Sequence, residues 1–293
     1  MKAAVLHAFG SLPRYEDFPE PVPEAGDVLI HVHAVALENF DKMAAQGDHY
    51  GSRGVFPQFP AIVGHSGAGT LADGTPVTFG GSRPPYGTMA EIAVVPKECA
   101  EYISRAPAGV DAGLAAAPPA PALTSYLPLR WRAKLEPGQT VLILGATGVA
   151  GRLAVRIAAL LGAGRVVAAG RDASRLRSLP ELGASAVVDL KGKDAEVCDA
   201  LVQESGGGYD VVLDFLWGHA AELFFRAITP RKVGFAKGRT RYIQVGSPRA
   251  RSFPCPQRRC APPDWNLAGR AKFLPGLCRR RWSGSGPGCR QGS

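Results

Sequence analysis

The sequence predicts an α/β chain in two parts: a β-rich first domain, then a domain built on a doubly wound parallel sheet. Three observations carry that reading. Residues 1–110 are short alternating runs cut by dense Gly and Pro punctuation. From Gln139 onward, strand-like and helix-like segments alternate. At the start of that second stretch an apolar run enters three spaced glycines, Val141-Leu-Ile-Leu-Gly145-Ala-Thr-Gly148-Val-Ala-Gly151, and a helical pattern follows.

The elements follow in order. Residues 1–10 alternate like a strand and then turn, and residues 28–36 alternate again after Pro19, Pro21, Pro23 and Gly26. Gly64, Gly67, Gly69, Gly74, Gly80 and Gly81 break the next stretch into short strands. Residues 113–132, with prolines at 118, 119 and 121, read as a hinge leading into a helix. Beyond it the pattern predicts strands at 141–144, 165–169, 187–188, 211–213 and 242–245. Helices are predicted between them at 152–161, 174–182, 195–204 and 220–227. The expected domains are 1–115 and 116–248, with 249–293 as a separate tail.

Strand, glycine turn and helix together form a site for a dinucleotide. Glycines let the backbone N–H groups at a helix start approach a pyrophosphate, and the helix dipole favours its negative charge. The residues expected there are Ala146, Thr147, Gly148 and Val149, facing Gly170 at the end of the next strand. An NAD site normally closes that strand with an acidic residue on the ribose hydroxyl. Here the strand ends Ala169-Gly170-Arg171, with Ser174 and Arg175 close behind. Arg171, Ser174 and Arg175 suit a 2′-phosphate, so the expected cofactor is NADPH. The competing reading leaves both arginines solvated and gives the ribose to Asp172.

Charge separates the body from the tail. The chain has 34 Lys and Arg against 25 Asp and Glu, a net charge of +9. Ten of those bases and one of those acids lie in 249–293, which leaves 24 of each in 1–248. A neutral body argues against a specific nucleic-acid partner. No run of eighteen apolar residues and no signal-like leader is seen, so the expectation is a cytoplasmic protein without a membrane span.

The tail also holds four of the six cysteines, at 255, 260, 278 and 289, and shows neither helical nor strand periodicity. It reads as a disordered basic arm, a cysteine metal site or a stretch translated out of frame. Without C-x-x-C pairs the metal reading is the weakest. The favoured reading is a frameshift near residue 248. Read one base earlier, the codons of Cys260-Ala-Pro-Pro-Asp-Trp-Asn266 are compatible with Leu-Arg-Ser-Ser-Gly-Leu-Glu, an amphipathic segment.

Several segments of 1–247 together resemble the medium-chain dehydrogenase/reductase superfamily, in its zinc-independent quinone oxidoreductase branch. They are Pro21-Val-Pro-Glu-Ala-Gly26-Asp-Val-Leu-Ile30, Val35-Ala-Leu-Glu-Asn39-Phe-Asp41 with Gly47 and Tyr50 downstream, and Val63-Gly-His65-Ser66-Gly-Ala-Gly69. Tyr86-Gly87-Thr-Met-Ala-Glu91 with Val94-Val-Pro96, and Leu123-Thr124-Ser125-Tyr126, complete the set. The resemblance implies a GroES-like domain plus a Rossmann domain, with the active site in the cleft between them. It also implies that the chain after 248 supplies the remaining Rossmann strands, so with this tail the fold would be C-terminally incomplete. A homodimer through the Rossmann sheet edge is implied where that region is intact.

Departures from the zinc-binding members set the branch. No cysteine lies in 36–41, Ser66 stands where an acidic partner follows the histidine, and no four-cysteine lobe exists. A catalytic zinc needs three protein ligands, so no metal is expected. What the resemblance implies is an NADPH-dependent reductase of quinones or activated carbonyl and alkene compounds. Asn39, Tyr50 and His65 are the candidates to orient or polarise the acceptor's oxygen. Thr124 would lie near the nicotinamide, with Asp214, Phe215, Leu216, Val245 and Gly246 on its far side. Two other readings stand beside it: an alkenal or enone double-bond reductase, and a catalytically inactive nucleotide-binding remnant.

Overall fold

A computed structural model of the chain describes residues 1–229 and 239–245. Gly246 and the tail 249–293 lie outside the described residues. The described chain divides between Ala116 and Ala117 into two units.

The first unit is antiparallel. Its strands are β1 (Lys2–Leu6), β2 (Arg14–Asp17), β3 (Val28–Val35), β4 (Ala61–Ile62), β5 (Ser66–Thr70), β6 (Pro76–Gly80), β7 (Ile92–Val95) and β8 (Ser104–Arg105). They pair in two sheets, ordered β2-β1-β4 and β7-β3-β5-β6-β8. Ile30, Val77, Phe79, Ala93 and Val95 form the core of the larger sheet. A register shift between Val32 and Ala34 re-aims the end of β3.

Three helices interrupt these strands: α1 (Asn39–Gln46), α2 (Ser52–Val55) and α3 (Ala112–Ala116). The sequence reading of strands and turns for 1–110 passed over α1 and α2. Each is two turns or fewer, too short for a 3.6-residue period to stand out. Helix α1 is set by its ends. Asp41 Oδ2 accepts from the Glu38 N–H at 2.8 Å, and Gly47 closes the helix at φ +80°. Ala44 faces inward against Leu6, Phe56, Ala61 and Val63.

The second unit opens with α4 (Pro119–Leu127) and continues β9 (Thr140–Leu144), α5 (Val149–Leu160), β10 (Arg165–Gly170), α6 (Ala173–Leu176), β11 (Ala186–Asp189), α7 (Asp194–Glu204), β12 (Val211–Asp214), α8 (His219–Ile228) and β13 (Arg241–Gln244). The five strands are parallel in the order β11-β10-β9-β12-β13. This is the doubly wound Rossmann arrangement, whose ligand crevice lies at the carboxyl ends of the strands where the order reverses. The sheet is apolar on both faces. Val141, Ile143, Val166, Ala168, Val211 and Leu213 pack toward α5, while Leu142, Leu144, Val167 and Val212 pack with Val197, Leu201, Leu223 and Phe224.

One element departs from expectation. The helix expected at 174–182 is instead the short α6 followed by a separate 3-10 turn, Pro180–Leu182. Pro180 has no N–H to donate, so an α-helical hydrogen-bond ladder cannot run through it.

Candidate functional site

The carboxyl ends of β9, β10, β12 and β13 gather most of the residues expected at a dinucleotide site. At the end of β9, Gly145 takes φ +92° and the chain turns into α5 at Gly148. The Gly145 and Ala146 N–H groups both donate to Ala169 O at 2.9 Å, which pins the turn against β10. A side chain on Gly151 would collide with the Gly145 carbonyl and stand 2.7 Å from Ala146 Cα. Only glycine lets α5 start this close to the strand. Gly170 plays the matching part on β10, since a Cβ there would lie 2.9 Å from Thr147 Oγ1. Gly148 and Val149 are exposed at the helix start, where N–H groups and dipole favour an anion.

Behind the turn, the buried Ser125 hydroxyl donates to Ala150 O at 2.8 Å and fastens α4 to the first turn of α5. Thr124, one residue earlier, is exposed and donates to Pro121 O.

After β10, Asp172 caps α6. Its Oδ1 accepts from the Ser174 and Arg175 N–H groups, each at 3.1 Å, and from the Ser174 hydroxyl at 2.6 Å. Its Oδ2 lies 3.4 Å from Arg175 Nε. The Ser174 hydroxyl, then the Arg175 N–H, hold the carboxyl below its usual range. Arg175 also reaches back to Thr147 O at 3.1 Å, so it bridges the two turns. Arg171 is exposed between them.

At the end of β12, Asp214 is fully buried. Its Oδ1 accepts from Leu216 N at 2.7 Å and Trp217 N at 2.9 Å, and its Oδ2 accepts from the Tyr242 hydroxyl on β13. Burial, then the Asp214 charge, push the Tyr242 hydroxyl up, so it stays protonated and donates. These bonds fold Phe215–Gly218 into a tight loop in which Trp217 takes φ +55°. The carboxylate expected to meet a cofactor is thus spent inside the protein. Leu216 instead packs against Gly145, and Val245 N donates to Asp214 O at 2.8 Å. Tyr242 opens the segment 242–246 expected on the nicotinamide's far side, although Val245 and Gly246 were the residues singled out there.

The first unit gathers a second set. His65 Nδ1 lies 2.7 Å from Asp41 Oδ1, and its Nε2 lies 3.8 Å from Glu38 Oε2. The Phe40 ring is edge-on to both His65 and His49, with centroids 4.9 Å apart in each case. Tyr50 is 87% exposed and leans on His49 at 4.2 Å. Asn39 is exposed at the start of α1. Ser66 does follow the histidine, yet an acidic partner is supplied from α1 by Asp41. The i, i+3 spacing of Glu38 and Asp41 at a helix start was the available signal. Burial alone would lower the His65 pKa, but the Asp41 hydrogen bond and the charges of Asp41 and Glu38 raise it overall. Glu38 is raised by burial and by Asp41, against the pull of His65.

Residues 150–234 match the family model described as zinc-binding dehydrogenase. The quinone oxidoreductase of Thermus thermophilus superposes with a TM-score of 0.65 at 32% identity, covering 78% of this chain and 70% of that one. An alcohol dehydrogenase of Rhizobium meliloti is 30% identical over 67% of this chain and 65% of its own length. A Mycobacterium marinum polyketide synthase is 32% identical over 71% of this chain, which spans 10% of that protein.

The residues present do not fit the zinc of the matched family's description. Asp41 engages one ring nitrogen of His65, and Glu38 Oε2 lies 3.8 Å from the other. Among the described residues no three His, Cys, Asp or Glu side chains gather as a metal site, and a catalytic zinc takes three. Dinucleotide turn, sheet order and likeness to the Thermus enzyme along most of both chains converge on a GroES-like unit followed by a Rossmann unit: the chain belongs to the medium-chain dehydrogenase/reductase superfamily.

Proposed function

We propose that this chain is an oxidoreductase that moves hydride from NADPH to a quinone or an activated carbonyl or alkene acceptor without zinc. The observation that carries the cofactor choice is the state of Asp172. Three donors engage one of its oxygens and Arg175 the other. That engages the carboxylate within its own helix cap, and the exposed Arg171 with Arg175 beside it brings positive charge that supports a 2′-phosphate. The solved structure of the Thermus relative includes a complex with NADPH, which supports the same choice.

The dinucleotide, when bound, supplies the hydride; the chain's residues hold and orient. Thr147–Val149 and the start of α5 receive the pyrophosphate, while Ala146, buried with its N–H on Ala169 O, holds the turn against β10. Leu216 and Val245 form an apolar wall, and the Asp214–Tyr242 pair sets its shape. Asn39, Tyr50 and His65 polarise the acceptor's oxygen. A quinone's reduced oxyanion is delocalised, so hydrogen-bond donors suffice where a localised alkoxide would call for more.

Replacing Arg171 and Arg175 together by Ala is expected to weaken NADPH binding by about ten- to a hundredfold and leave NADH nearly unchanged. One charge-assisted hydrogen bond to the 2′-phosphate, worth about 1.5–3 kcal/mol, accounts for a loss of that size. Calorimetric Kd values for both cofactors test it, and equal wild-type affinities would remove the preference. Tyr50→Phe should lower kcat several-fold with little change in KM. Unchanged kinetics would take Tyr50 out of the mechanism.

A further inference from the structure

Helix α4 turns apolar side chains to solvent. Its inner face is spent: Ser125 is fastened to α5, and Leu129 and Ala133 lie in the core with Val141, Ala154 and Val211. Pro128 has no N–H to donate, so the helix continues through a wider turn, Pro128–Arg132. The Ala133 N–H closes it on Pro128 O at 2.7 Å. Leu127 and Pro128 keep helical backbone angles, and one outer stripe runs along both pieces. Leu123, Tyr126, Leu127 and Trp131 stand on it at i, i+3, i+4 and i+8, between 39% and 57% exposed. A surface helix ordinarily turns its polar residues outward.

Cations collect at the far end of the stripe. Arg130, Arg132 and Lys134 are exposed. The Arg241 guanidinium lies beside them, donating to Ala133 O at 2.6 Å and Lys134 O at 3.2 Å. No Asp or Glu occurs between Asp111 and Glu136, so the stretch is cationic within a body whose charges otherwise balance.

We propose that this outer face of α4 docks the chain on anionic lipid bilayers. Leucines reach the acyl chains, the Tyr126 and Trp131 rings sit at the headgroup level, and the basic side chains meet lipid phosphates. Nucleic acid would satisfy the cations but leave the leucines in water. The helix lies along the surface, since no helix among the described residues is long and apolar enough to cross a membrane. The inference goes beyond the reductase reading and does not rest on it; its test needs neither cofactor nor acceptor.

Co-sedimentation of the full chain with vesicles measures the docking. At near-physiological salt, the chain should bind vesicles of equal parts phosphatidylcholine and phosphatidylserine at least about tenfold more tightly than pure phosphatidylcholine. Arg130→Gln with Arg132→Gln should weaken binding to the mixed vesicles about thirtyfold, at about fivefold per basic residue. Leu127→Gln with Trp131→Gln should lose at least about tenfold on both kinds of vesicle, because buried apolar area is lost. The tail 249–293, with its ten Lys and Arg, is a rival source of attraction. The apolar pair separates the two, since it changes no charge. Trp131 should also be quenched by lipids brominated near the headgroup, read as the difference between wild type and Trp131→Phe.

Both double variants replace exposed side chains and should melt near the wild type. If either unfolds, the Trp131 quenching decides alone. Wild-type affinity in the apolar pair, or an unquenched Trp131, assigns the attraction to the tail and overturns the proposal. A wild-type chain that ignores both kinds of vesicle overturns it as well. So does tighter binding to duplex DNA than to mixed vesicles through the same two arginines, which would make the stripe a nucleic-acid surface. A chain that is dimeric without lipid, and monomeric as the apolar pair, would make it an interface between copies instead.

Discussion

Gly151→Ala is expected to cost the chain both its cofactor and a large part of its stability. The added methyl collides with the Gly145 carbonyl and comes within 2.7 Å of Ala146 Cα. These are backbone atoms, held in turn by the paired bonds from Gly145 and Ala146 to Ala169 O, so no side chain can swing away. Helix α5 must move off β9, and overpacking of this kind costs about 1–3 kcal/mol. Its start then no longer aims N–H groups at the pyrophosphate, and misplacement by about an ångström is enough for a hundredfold loss.

Gly148→Ala separates the two effects. Gly148 has φ −78°, and the nearest atom to its would-be Cβ lies 3.5 Å away. That variant should melt within about 0.5 kcal/mol of the wild type, as surface changes do, yet bind NADPH weakly because the methyl stands where the phosphate approaches. Denaturant unfolding and cofactor titration of the pair decide the matter. A Gly151→Ala chain with wild-type stability would show that the helix start is looser than the geometry requires.

Long elements with one dominant period were legible in the sequence. Apart from the helix expected at 174–182, the strands and helices around the parallel sheet were expected within a few residues, because buried parallel strands are short apolar runs bounded by turns, and the helices between them carry an apolar stripe. The spacing of Gly145, Gly148 and Gly151 was equally plain: the positive φ at Gly145 and the close backbone approach at Gly151 both call for glycine. What did not show was local and short. Helix α1 has two turns, and its signal is polar: Glu38 and Asp41 at its start, Gly47 at its end.

Partnerships across the fold were hidden for a different reason. Asp41 meets His65 across 24 residues, and Asp214 meets Tyr242 across 28. Neither distance has a period that a sequence window can register. The same holds for Asp172. Its place after a strand offered the competing reading of a ribose ligand, and in the fold it caps α6 through the Ser174 and Arg175 N–H groups. Sequence named His65, Asp214 and Asp172 as candidates; the fold gave each its partner.

The second large effect is expected from the Asp214–Tyr242 pair. Asp214→Ala strands the Leu216 and Trp217 N–H groups and the Tyr242 hydroxyl without their acceptor. Leaving a buried polar group unpaired costs about 1–3 kcal/mol, so the loss should reach at least about 3 kcal/mol. Trp217 adds to it, because a bulky residue at φ +55° is held there by the bond it would lose. Released from Asp214, the Phe215–Gly218 loop should relax, and NADPH binding should weaken with it. Asp214→Asn keeps an oxygen for the two N–H groups and should recover most of the stability. Tyr242→Phe removes one donor and should fall between the two. If all three variants unfold at the wild-type denaturant midpoint, the pair contributes nothing to the loop. If stability falls but NADPH affinity does not, the loop is a structural corner rather than a cofactor wall.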